Sequence, residues 1–246
     1  RQISGLISNA KNELIAPADY HAHASSPLER IAADVYPLYE KALQEAGALD
    51  FDDLIGKTVA LLRHTPEIRD KWRAQFRYVM IDEYQDTNAA QYALIKLLIG
   101  AQQNIAVVGD DWQSIYSWRG ADFRNILRFE KDYPKSAIIK LEQNYRSTKH
   151  ILDAAHAIIS KNAQRSDKEL WTEAGNGMPV QIIPIGNERA EGEAIVRRIK
   201  QRLDAGLRNY NDFAVLYRTN AQSRALEEAC LHYGVAYRIV GGQRFY

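Results

Sequence analysis

Cysteine is nearly absent: Cys230 is the single one in 246 residues. No disulfide can form within the chain, and a metal cage of several thiolates is excluded. A reducing cytosol suits such a chain. The sequence has no run of about 18 apolar residues and no charged-then-apolar leader, so no membrane span is expected. A surplus of one charge sign is missing too, since the formal net charge is +1. Bulk charge therefore neither demands nor excludes a nucleic-acid partner, and any such site must be a local patch. Internal repeats and low-complexity tracts are also lacking. What remains is ordinary for a globular protein: 46% hydrophobic and 26% charged residues, enough for one large domain or two modest ones. The chain starts with Arg1 rather than Met and is expected to begin inside a larger protein.

Residues 1–50 read as helical. Ser26-Pro27-Leu28-Glu29 is a capping box with Pro at the first helical position, opening a helix that runs toward Ala46 and stops at Gly47, with Pro37 inside it. His21 and His23 form an H-x-H pair in the preceding loop, without further ligands nearby. Helices are expected over residues 49–63, 89–98, 149–160, 188–205 and 221–233. Strands are expected over 78–81, 104–108, 137–141, 180–185, 213–217 and 236–240. From residue 76 onward strands alternate with helices, which argues for parallel sheets flanked by helices.

Three strand ends carry chemistry. Tyr78-Val79-Met80-Ile81 stops abruptly in Asp82-Glu83. Acids at the carboxyl end of a buried parallel strand lie where an open α/β sheet places ligands. One can hold Mg²⁺ and the next can orient or deprotonate an attacking water; the alternative is a strand that ends in a polar turn. The second expected strand ends in Gly109-Asp110-Asp111-Trp112-Gln113-Ser114-Ile115-Tyr116-Ser117-Trp118-Arg119. Gly109 permits a tight turn, and the Gln113 amide can sense a phosphate oxygen or a water. Tyr116 and Trp118, beside Arg119, have the character of a stacking platform for single-stranded bases; the alternative is that both rings are core. The third ends in Glu142-Gln143-Asn144-Tyr145-Arg146-Ser147-Thr148. Tyr145 can stack on a nucleobase, and Arg146 can reach a phosphate or pair with a surface acid.

Taken together, the blocks from Asp82 to Thr87, from Gly109 to Ala121 and from Gln143 to Thr148 resemble motifs II, III and IV of superfamily 1A DNA helicases, in the manner of the UvrD/PcrA/Rep group. Phe213 to Arg224 resembles motif IVa of that group, and Gly241 to Tyr246 the run after it. The resemblance covers essentially the whole chain. It implies an α/β fold containing parts of two RecA-like P-loop NTPase domains, preceded by a helical segment. Residues 1–48 would be the end of a 1B-like insertion, 49–136 the second half of domain 1A, and 137–246 the first half of domain 2A.

The same resemblance implies an ATP-dependent 3′→5′ helicase and translocase that uses ATP and Mg²⁺, acting on single-stranded DNA and single-strand/duplex junctions in DNA repair or replication, in a bacterial, nucleoid-associated cytoplasmic setting. Asp82 would hold Mg²⁺ and Glu83 would activate water. Gln113 would contact the γ-phosphate region. Tyr145 would pack on adenine and Arg146 would reach the γ-phosphate. Tyr116 and Trp118 would stack on bases, and Arg218 and Asn220 would touch the DNA backbone. Trp112 departs from the family pattern, which often has an acid there. No G-x-x-x-x-G-K-[ST] loop occurs in the chain; in the family it lies upstream. The chain alone is thus expected to be inactive and marginally stable or self-associating. Two other readings stay open: a non-catalytic DNA-binding or interaction fragment, and a helicase subunit of a recombination nuclease.

Overall fold

The computed structural model describes residues 2–101, 103–115, 120–163 and 165–241. The chain forms two compact units, residues 1–178 and 179–246.

The first unit opens with helices α1 (Gln2–Asn12), α2 (Tyr20–His23) and α3 (Pro27–Glu45). The capping box is realised at α3: Ser26 Oγ accepts from the Glu29 N–H, and Glu29 Oε2 accepts from the Ser26 N–H at 2.8 Å. Ile7, Ala10, Tyr20, Ala32, Ala33 and Tyr36 form a core between these helices. His21 and His23, expected in a loop, sit on α2 instead, where His21 Nε2 faces Asp34 at 3.3 Å.

Helix α4 (Phe51–His64) is capped by Asp50 through a second reciprocal box with Asp53. Both acids also bind the buried Lys11 ammonium, at 2.7 and 3.0 Å, and Glu40 is its third carboxylate partner. Glu40, Asp50 and Asp53 have the spacing of metal ligands, but the Lys11 cation already lies among them and balances their charge. Helix α5 (Pro66–Gln75), which the apolar pattern did not reveal, follows with no buried residue.

Strands β1 (Val79–Ile81) and β2 (Ile105–Val107) pair in parallel, with Val79 opposite Ile105 and Ile81 opposite Val107. Between them runs α6 (Ala89–Leu98), capped by an Asn88–Gln91 box. The short helices α7 (Arg124–Leu127) and α8 (Phe129–Asp132) follow. Tyr84, Ile99, Phe129 and Tyr133 form the core against which Val79, Ile81, Ile105 and Val107 pack.

Helix α9 (Lys149–Ile159) has Thr148 at its N-cap but no side-chain capping bond. Its first amides donate instead to neighbouring backbone: Lys149 N to Gly175 O and His150 N to Asn176 O. Residues 137–141 do not form the expected strand, and Ile139 and Leu141 are more than 80% exposed. The next pairing is a single parallel bridge, Gln143 with Trp171.

The second unit packs α10 (Glu188–Asp204) on α11 (Ser223–Tyr233) around Val196, Ala229, Cys230 and Val235. Gly206 and Gly234 end the helices with positive φ, a conformation that glycine adopts without strain. Residues 180–185, 213–217 and 236–240, expected as strands, form no ladder among the described residues. Apolar, β-branched runs make pairing possible, but a strand exists only where a neighbour supplies hydrogen bonds. Among the described residues the architecture is thus helix-rich α/β with one small parallel sheet. No described helix is long and apolar enough to cross a membrane.

Candidate active site

Two loops leave the carboxyl ends of β1 and β2 side by side. The first carries Asp82 and Glu83, both exposed. Asp82 Oδ1 accepts from the Glu83 N–H at 2.9 Å. Glu83 itself adopts φ +51°, a left-handed conformation that costs a non-glycine residue about 1 kcal/mol or more. The strain turns the chain sharply, so that the next residues, Tyr84 and Gln85, plunge into full burial. Burial, reinforced by Tyr133 and Asp132, pushes the Tyr84 hydroxyl up to about 12. Asp86 follows with its Oδ1 buried and without a hydrogen-bond partner among the described residues; burial, and then the charge of Glu83, raises its carboxyl.

Gln85 joins the two loops. Its Nε2 donates to Glu83 Oε2 at 2.7 Å, and its Oε1 accepts from the Asp110 N–H at 2.9 Å. A carboxylate only accepts and a backbone N–H only donates, so the amide has one orientation that satisfies both. Gly109 makes room for this. A Cβ there would lie 2.4 Å from Gln85 Oε1 and 2.9 Å from Ile126 Cδ1. Its φ is not positive, so close approach, rather than the tight turn expected from sequence, is what requires glycine.

The second loop forms a single 3-10 turn, Asp111–Gln113. Asp110 is its hub. Its Oδ1 accepts from the Trp112 N–H at 2.9 Å, its Oδ2 accepts from Gln113 Nε2 at 2.8 Å, and Lys168 Nζ pairs with Oδ1. Asp111 accepts from Ser166 through both its N–H, at 2.6 Å, and its hydroxyl, at 2.5 Å. Burial pushes the Asp111 carboxyl up, but the Ser166 bonds and the Lys168 charge outweigh it and hold the group below its ordinary value. Trp112, the departure from the family pattern, donates its indole N–H to Ser166 O at 3.3 Å and lies under the Lys168 ammonium, 4.6 Å from the ring centroid.

Of the residues singled out from the sequence, Asp82, Glu83 and Gln113 are therefore brought into one hydrogen-bonded neighbourhood. Tyr145 is 82% exposed and donates to Gln143 Oε1 at 2.6 Å. Arg146 is exposed and its guanidinium has no partner among the described residues, so the surface-pair alternative is not realised there. Both are presented by a turn in which Asn144 Oδ1 accepts from the Arg146 and Ser147 N–H groups. Arg218 and Asn220 lie in the second unit, on the exposed approach to α11. Tyr116, Trp118 and Arg119, and residues 242–246, lie outside the described residues. Lys168 and Ser166 were missed. Neither has a motif around it, and they stand more than 50 residues from their partners.

Asp82 is a hard oxygen donor at the end of a strand, with Oδ2 unengaged among the described residues. That suits a hydrated Mg²⁺, which is commonly held by one or two carboxylates.

The Gln85 amide thus ties the acid pair after β1 to the loop after β2. The chain belongs to the UvrD/Rep helicase family: residues 1–134 match the UvrD/REP helicase N-terminal domain and residues 139–246 the UvrD-like helicase C-terminal domain. It is 49% identical to the ATP-dependent DNA helicase PcrA of Bacillus subtilis (strain 168), over all of this chain and 33% of that protein. Identity is 47% to PcrA of Leuconostoc citreum, over all of this chain and 33% of that protein. It is 49% to PcrA of Staphylococcus aureus (strain Mu50), over all of this chain and 34% of that protein. The chain spans about a third of the length of these relatives.

Proposed function

We propose that this chain is part of an ATP-dependent DNA helicase motor of 3′→5′ polarity, with residues 49–136 and 137–246 contributing to two RecA-like domains and residues 1–48 to an inserted helical one. The observation that carries the reading is the Gln85 bridge, which ties the acid pair after β1 to the loop that bears Gln113. The seam between the two family matches, residues 134–139, supports the division of the motor near residue 136.

Asp82 would hold Mg²⁺, which when bound supplies positive charge to the phosphate oxygens. Glu83 takes a proton from, or orients, the attacking water. Its carboxylate is held by the Gln85 N–H, so it is aimed before substrate arrives, as electrostatic preorganisation requires. Gln113 reads the terminal phosphate through its amide. Tyr145 offers an exposed ring to the base, and Arg146, whose guanidinium has no partner among the described residues, reaches the terminal phosphate. Tyr116 and Trp118 stack on successive DNA bases, each stack contributing about 1–3 kcal/mol. Such a grip can hold about one base-pair step of duplex stacking, roughly 1.4 kcal/mol, but not several. Arg218 and Asn220 contact the strand backbone. Single-stranded DNA and single-strand/duplex junctions are the substrates in this reading.

The test is ATP hydrolysis with and without single-stranded DNA, in this chain and in the full-length protein, each beside Glu83→Gln. Full-length protein should show DNA-stimulated turnover that Glu83→Gln lowers by about 100-fold or more. This chain alone should show none above its control. A full-length Glu83→Gln protein with ordinary turnover would remove the assigned base.

A further inference from the structure

The motor reading leaves Lys168 unused, although it is among the best-held cations of the first unit. Its ammonium pairs with Asp110 Oδ1 and lies 3.3 Å from Asp111 Oδ1, and it is capped by the Trp112 ring. Its side chain is only 14% exposed, too buried to serve as a loose surface charge. The pairing also has a direction. Asp110 gives its other oxygen to Gln113 Nε2 and its N–H to Gln85, and Gln85 reaches Glu83. A continuous hydrogen-bonded path therefore runs from the Lys168 ammonium to both groups assigned to the terminal phosphate and the attacking water.

We propose that Lys168 is a positioning residue for ATP hydrolysis, holding Asp110 so that Gln113 and Glu83 are aimed together. This rests on the motor reading above. Lys168 and Ser166 belong to the segment that matches the C-terminal family description, whereas Asp110, Asp111 and Gln113 belong to the N-terminal one. The contact thus spans the seam between them, within one compact unit. A shift of residues 166–168 relative to β2 would release Asp110 and loosen the Gln113 amide. Ser166 fixes the same loop through Asp111 without touching Asp110, which makes it the local comparison.

The experiment uses full-length protein carrying Lys168→Met, Lys168→Arg, Gln113→Ala and the Lys168→Met/Gln113→Ala pair, with ATP turnover measured against ATP and DNA concentration. Lys168→Met should lower kcat about tenfold, the usual scale for losing an outer partner of a catalytic group, with the KM for ATP little changed. Lys168→Arg should recover most of the loss. In the Gln113→Ala background, Lys168→Met should lower kcat by less than it does in the wild type, because only the branch through Gln85 to Glu83 remains. A purely structural lysine would reduce melting temperature while leaving kcat per folded molecule intact, and that result overturns the proposal. So does a Lys168→Met loss that multiplies fully with that of Gln113→Ala. If Gln113→Ala alone keeps its kcat, the assignment of Gln113 fails, and the Lys168 proposal falls with it by a separate, recognisable route.

Discussion

Gly109 and Gln85 occupy space that admits only one side chain: a Cβ on Gly109 would lie 2.4 Å from the Gln85 Oε1 that accepts the Asp110 N–H. Gly109→Ala should push the buried amide off both of its partners. Leaving such a group unsatisfied costs about 1–3 kcal/mol. Urea unfolding should show that loss, and full-length protein should lose turnover more than nucleotide affinity. Unchanged stability together with unchanged turnover would mean that Gln85 can move without consequence.

Lys11 holds three carboxylates on α3 and at the start of α4. Lys11→Met leaves Glu40, Asp50 and Asp53 facing one another without their central cation, although Lys57 still lies near Glu40 and Asp53. Breaking a buried ion cluster from one side costs about 3–5 kcal/mol. The cost should shrink in acid. Burial pushes Asp50 up, but bonds from Lys11, the Asp53 N–H and Tyr39 outweigh it and hold its carboxyl below the ordinary value. Its stabilising contribution is therefore present above that value and lost as pH falls through the lowered one. Denaturation of wild type and Lys11→Met at pH 7 and pH 2 should show a smaller difference at pH 2, below the lowered value; an equal difference would count against the carboxylate account.

The capping box at α3 makes a second pH prediction. The Ser25 hydroxyl and the Ser25 and Ser26 N–H groups lower the Glu29 carboxyl from 4.5 to about 2. A lowered carboxyl stabilises the folded form above its unfolded value and loses that effect as pH falls toward 2. Amide exchange at Ser25 and Ser26 should be slow at pH 6 and accelerate beyond the intrinsic pH trend near pH 2. Glu29→Ala should remove the protection at pH 6 and make a much smaller difference at pH 2.

In the second unit Gly192 of α10 faces the backbone of α11. A Cβ would lie 2.6 Å from Ala225 O and 2.9 Å from Ala225 C, atoms that cannot rotate away. Gly192→Ala should force the helices apart at a cost of about 1–3 kcal/mol. Hydrogen exchange should quicken on α10 and α11, with α1, α3 and α6 unaffected. Equal destabilisation of both units would show that they do not unfold independently.

Local signals in the chain decided much of this protein. Ser26-Pro27-Leu28-Glu29 marks the start of α3 because a capping box is complete within four residues. The α6 bounds, Ala89–Leu98, follow from Asn88 and the apolar run behind it. The abrupt change from Ile81 to Asp82-Glu83 marks the carboxyl end of β1. The family itself is legible from short blocks in fixed order, because each packs several chemical requirements into a few neighbouring residues.

Tertiary structure decided what depends on distant partners. Apolar patterning marks 137–141, 180–185, 213–217 and 236–240 as able to pair, but pairing needs a second segment, and none forms a ladder with them among the described residues. Lys11 reads as one more polar residue at the end of a helix until α3 and α4 bring three acids to it. Gly109 reads as a turn residue until Gln85 is seen filling the space beside it. Lys168, with no motif of its own, joins Asp110 from 58 residues away. Each of these roles is set by geometry between segments, which local spacing along the chain does not encode.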